Sequence, residues 1–186
     1  PARARPDKTG KVITCKGAGP DEKSASALPK GMQLIVTART KARRRAVDVL
    51  FEADQRGRYR PLELSDLLQE RLAVTAAQTA LPQYSADIVD GVAANLAEID
   101  EVLSTHLQGW TLERLPAVDR AILRMAVWEL LYNDEIDDAV AISEAVTLAA
   151  TLSTDDSPAF VNGLLDALRV LGPALRAELR GMSPSA

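Results

Sequence analysis

The chain has 186 residues, 47% of them hydrophobic and 26% charged, with a net charge of −4 and aromatics held to 4%. That length allows one domain or two small subdomains sharing a core, and an Ala- and Leu-rich composition with few aromatics favours helices over sheets. A single cysteine, Cys15, excludes an internal disulfide framework. No apolar run approaches the ~18 residues of a membrane span, and Met32–Val36 is shorter than the ~7 apolar residues of a signal-peptide core, so the expected setting is the cytoplasm.

The net charge conceals a division. Residues 1–45 hold twelve Lys/Arg against three Asp/Glu, and the remainder hold ten against twenty-three. Such asymmetry describes a basic arm for an anionic partner on an acidic body, or a plain solubilising tail.

In chain order, residues 1–31 are rich in Pro, Gly, Ser, Ala and Lys without an apolar period, and are expected to be disordered. From about Ala38 the spacing of Ala42, Ala46, Val49, Leu50 and Ala53 predicts a helix with one buried face. Gly57 ends it and Pro61 allows another to begin, with Leu64, Leu67, Leu68 and Leu72 as its stripe. Ile88, Val92, Leu96, Ile99 and Leu103 predict one long helix over about 83–107, broken by Gly109 and Trp110. Pro116 suits the first turn of a helix carrying Val118, Ile122, Met125, Ala126 and Leu130. An acidic turn over 133–138 precedes a helix over 140–152. Ser157 and Pro158 then read as N-cap and first helical residue of the next. Gly172 and Pro173 are expected to separate a short last helix. Asn162-Gly163 inside a helix suggests a close helix crossing, since Gly costs ~1 kcal/mol there.

Candidate chemistry is sparse. One histidine, His106, and one cysteine cannot assemble the usual zinc ligand sets, and neither GxSxG, HExxH nor a Gly-rich phosphate loop occurs. The carboxylates at 134–138 and 155–156 sit in predicted turns and read as solvated loop charge. No catalytic residue, metal or cofactor is expected.

The arginines ask for more. Arg39, Lys41, Arg43, Arg44 and Arg45 crowd the first turns of their helix, where the macrodipole disfavours cations. At ~100° per residue they surround the helix tip, an arrangement suited to a phosphate backbone. Most aromatics read as core. Phe160 is the exception, one turn past a helix start and near the surface.

Residues 110–134, WTLERLPAVDRAILRMAVWELLYND, and 140–168, VAISEAVTLAATLSTDDSPAFVNGLLDAL, resemble the signature blocks of the NusB family of transcription antitermination factors. The matching residues are Glu113-Arg114, Val118–Arg124, Trp128-Glu129-Leu130, Val140–Ala149 and Phe160–Asp166. Ser143 stands where the family usually has Asn, and Leu164 where it has Val. The resemblance covers about 38–170, with Phe51 at an expected aromatic position of the first helix.

The resemblance implies an all-α, NusB-like helical bundle of about six to seven helices in two small subdomains. It would span 38–180, between a disordered basic extension (1–37) and a disordered tail (181–186). It also implies a non-enzymatic RNA-binding factor. Such a factor binds the boxA element of nascent ribosomal RNA operon transcripts with NusE, a small-subunit ribosomal protein, alongside other Nus factors and RNA polymerase. Some members form homodimers that bury the RNA surface. The family's Arg-rich N-terminus maps to Arg39, Lys41 and Arg43, with Arg44 and Arg45 as further cations, and its acidic-then-aromatic site maps to Asp156 and Phe160. Two other readings stand beside this one: an accessory domain like those of ribosomal RNA cytosine methyltransferases, and a helical protein-binding scaffold. Arg120 and Arg124 read as packing ion pairs.

Overall fold

A computed structural model describes residues 30–73 and 80–182. Among them are seven α-helices, one 3₁₀ turn and no strand. The helices are α1 (Lys30–Gln55), α2 (Pro61–Ala73), α3 (Gln83–Ala94), α4 (Leu96–His106), α5 (Ala117–Tyr132), α6 (Asp138–Leu152) and α7 (Ser157–Met182), with the 3₁₀ turn at Leu112–Arg114. The expectations for 1–29 and 183–186 lie outside the described residues.

Helix α1 buries every position of its predicted stripe, Ala42, Ala46, Val49, Leu50 and Ala53. It starts at Lys30, not at Ala38, because neither Gly nor Pro interrupts the chain from Met32 to Gln55. Residues 30–37, assigned from sequence to a disordered extension, are thus helical. At its other end Gly57 has φ +64°, which costs a residue without Cβ little. Gly57 N–H donates to Asp54 and Arg58 N–H to Ala53, the paired bonds of a Schellman ending.

The long helix expected over 83–107 is two. Its apolar period is intact, with Ile88, Val92, Leu96, Ile99 and Leu103 all buried. The chain turns at Asn95 (φ −120°, ψ 24°), whose side-chain amide donates to Gly91 O at 2.8 Å. A side chain that bonds the i−4 carbonyl competes with the helical ladder. The opposite error occurs at Gly172-Pro173. α7 continues through Pro173: Leu175 and Leu179 beyond it still pack on the core, and Arg176 binds Leu130 O and Asp138. The close crossing is also misplaced. A Cβ on Gly163 would meet nothing within 4 Å, whereas one on Gly91 would lie 2.0 Å from Trp128 Nε1. Gly91 is what lets α3 approach α5.

Helix α5 is the centre of the molecule. Asp119, Ala121–Val127 and Glu129–Leu131 are all buried, so it has almost no solvent face. Two of its buried charges, Arg124 and Glu129, are paired with an opposite charge, as a low-dielectric interior favours. Arg124 holds Asp100 of α4 at 2.7 and 2.8 Å and lies 3.7 Å from the Tyr59 ring centroid. Arg120 holds Asp54 of α1 at 2.6 Å. Both arginines are packing ion pairs, as read from sequence. The helices share one continuous apolar core.

Candidate nucleic-acid interface

Because α1 starts at Lys30, its cationic run over 39–45 lies in the middle of the helix and not in its first turns, and it packs against the far end of α5. Lys41 and Arg44 are exposed, and Arg39 and Arg45 are partly exposed. Arg43 differs. It is 2% exposed, and its Nε lies 2.8 and 3.0 Å from the two carboxylate oxygens of Glu129, which is fully buried. Burial opposes the Arg43 charge, but Glu129 outweighs that and holds its pKa above the ordinary value. Expected as an RNA contact, Arg43 instead clamps α1 to α5, because helical periodicity turns this one position of the cationic run inward.

Tyr84 organises the surroundings. Its hydroxyl donates to Glu129, and the guanidiniums of Arg39 and Arg43 lie 5.3 and 5.5 Å from its ring centroid, within cation–π range. Burial, then the Glu129 carboxylate, push its phenol pKa up. Thr40 donates to Glu144 of α6 at 3.0 Å, so the departure from a continuous Arg run serves packing.

Asp156 and Phe160 are brought together at the opposite end of α5. They line an open cavity of about 300 Å³ whose walls include Trp110, Leu115, Pro116 and Asp119. That is the small end of the range for ligand pockets. Asp156 is exposed and its carbonyl accepts the Phe160 N–H at 3.2 Å, starting the ladder of α7. The N-cap is therefore Asp156 and not Ser157. Ser157 is buried in the first turn and donates to Asp119 Oδ2 at 2.7 Å. Asp119 is 2% exposed, and its Oδ1 has no hydrogen-bond partner. An unpaired buried acceptor is costly to the fold.

Trp110, read from sequence as core, is 55% exposed on the cavity rim. Arg120 fixes the turn that carries it, donating through Nη1 to the carbonyls of Leu112, Glu113 and Leu115 at 2.9, 3.1 and 3.0 Å. The signal available in sequence was the Gly109-Trp110 break itself, where a large aromatic sits outside any apolar period. Asp119 at one patch and Glu129 at the other are ten residues apart on one helix. At 1.5 Å rise per residue this separates the patches by about 15 Å along the α5 axis. Among the described residues no group of His, Cys, Asp and Glu could hold a metal ion.

The helical bundle carries an open aromatic cavity at one end of its central helix and a partly exposed cationic run of α1 near the other, an arrangement suited to binding. Residues 40–169 match the model of the NusB family. The antitermination protein NusB of Beutenbergia cavernae is 56% identical over 147 residues, covering 77% of this chain and 96% of that protein. That of an Arthrobacter species is 55% identical over 142 residues, covering 76% and 100%. A crystal form of T. maritima NusB superposes with TM-score 0.60 at 32% identity, over 75% of this chain and 96% of that one. A structure of the antitermination factors NusB and NusE in complex with dsRNA superposes with TM-score 0.57 at 26% identity, over 71% and 96%. The chain belongs to the NusB family, and its function is not enzymatic.

Proposed function

We propose that this protein is an RNA-binding transcription antitermination factor. It takes the boxA element of nascent ribosomal RNA operon transcripts together with NusE, in the cytoplasm, and acts with other Nus factors and RNA polymerase to sustain elongation. The observation that carries the reading is the open aromatic cavity between Trp110 and Phe160, in a chain of the NusB family. An unpaired base fits this description: stacking on an aromatic ring is worth about 1–3 kcal/mol. Lys41 and Arg44, with Arg39 and Arg45, supply the phosphate contacts. Asp156 on the cavity rim repels phosphate and restrains affinity. The relative solved with NusE and dsRNA supports the choice of partners. A homodimer covering the same surface competes with RNA.

The test is a titration of labelled boxA RNA and a scrambled control at two salt concentrations, with and without NusE. Preference for boxA, tightened by NusE, is expected. Weak, equal, salt-sensitive binding to both RNAs, indifferent to NusE, removes the reading and favours a protein-binding scaffold.

A further inference from the structure

The exposed cations of the α1 run over 39–45 are not equally available. Arg39 lies against the loop between α5 and α6, where its Nη2 is 3.5 Å from Glu135 Oε2. The Glu135 side chain is 78% exposed and that of Arg39 38%, so both remain open to solvent and to a ligand. The pairing is built into the fold. Asn133 donates to the Tyr84 hydroxyl at 3.4 Å and accepts the Glu135 backbone N–H at 3.0 Å. The same Tyr84 carries Arg39 over its ring. Behind the loop Ile136 is buried and Asp138 is held by Arg176 at 2.9 Å. One tyrosine thus places both the cation and the carboxylate that faces it.

We propose that Glu135 is an affinity-setting residue: it competes with RNA phosphate for the Arg39 guanidinium and holds RNA binding below what the cationic run of α1 could reach. The inference rests on the RNA reading above and goes beyond it by assigning a role to a loop outside both patches. An exposed ion pair of this length is weak and screened by salt, so phosphate displaces it. Until it does, Arg39 contributes less than a full charge. Glu135 does not need to orient Arg39, because the Tyr84 ring already does.

The experiment compares wild type, Glu135→Gln, Arg39→Ala and the double variant, each titrated with labelled single-stranded boxA RNA across a salt series. Glu135→Gln is expected to tighten binding roughly two- to five-fold at low salt. The slope of log K against log salt should change by less than the ~0.7 of a whole single-strand phosphate contact, because Arg39 reaches phosphate in both proteins. The gain should vanish in the Arg39→Ala background. A Glu135→Gln variant that binds no tighter overturns the inference, and so does an equal gain with and without Arg39, since that would be loop charge acting at large. If no variant, wild type included, binds the RNA, the RNA reading falls and this inference with it.

Discussion

Replacing Arg43 with methionine isolates what the sequence and the structure say differently about the basic run. The substitution keeps much of the side-chain stem and removes the guanidinium that holds Glu129 at 2.8 and 3.0 Å. Glu129 is fully buried and keeps only the Tyr84 hydroxyl among these partners. Breaking a buried pair by removing one partner costs about 3–5 kcal/mol. For a chain of this size each kcal/mol moves Tm by about 2–4 °C, so a fall of roughly 6–20 °C is expected. Adding Glu129→Met removes the stranded charge and should recover most of the loss, less about 1 kcal/mol for the Tyr84 hydroxyl left without that acceptor. Urea unfolding followed by far-UV circular dichroism measures both. The salt dependence of RNA binding, taken well below Tm, should match wild type because a buried guanidinium neutralises no phosphate. A variant that stays as stable as wild type but loses slope would refute this argument and restore Arg43 as an RNA contact.

Phe160→Ala is expected to weaken boxA binding by about 1–3 kcal/mol through lost stacking while leaving the salt slope unchanged; fluorescence anisotropy across salt separates the two effects. Asp156→Asn removes a carboxylate from the cavity rim and should tighten RNA modestly, most at low salt, with no change in Tm beyond the ~1 kcal/mol scale of an N-cap position; a titration paired with thermal unfolding checks it. Burial pushes the Tyr59 phenol up to about 12 from 10.0. A raised folded pKa means stability that is complete below pH 10 and lost as pH climbs toward 12. Unfolding measured over that window should fall by at most about 1.4 kcal/mol per pH unit for this group, and less steeply in Tyr59→Phe.

The apolar periods made most of the helices legible. The stripe of α1 is local information, and so is the ending at Gly57, whose lack of a Cβ matches the left-handed turn there. What sequence hid is what depends on distant partners. Arg43 looks like its cationic neighbours, and only Glu129, 86 residues away, makes it a buried clamp. Asn95 and Pro173 carry opposite lessons. A residue acceptable in a helix breaks one because its side chain takes the Gly91 carbonyl, and a residue that usually breaks helices lies within α7, whose core contacts continue beyond it. At the candidate site, Phe160 and Asp156 were readable from their resemblance. Trp110 was not, because exposure is a property of the assembled turn that Arg120 fixes.

The near-total burial of α5 has a consequence for folding. Asp54 and Asp100 belong to α1 and α4, their arginines belong to α5, and Arg43 waits for Glu129. The first four helices leave the ribosome before α5 does, and until it arrives their inward charges are unmatched and their apolar faces open. Once made, α5 is itself buried on nearly every side and needs α6 and α7 to cover it. Neither half is therefore a self-sufficient folding unit. The chain is expected to collapse late and as a whole, and a fragment ending before α5 should remain a loose, protease-sensitive set of helices.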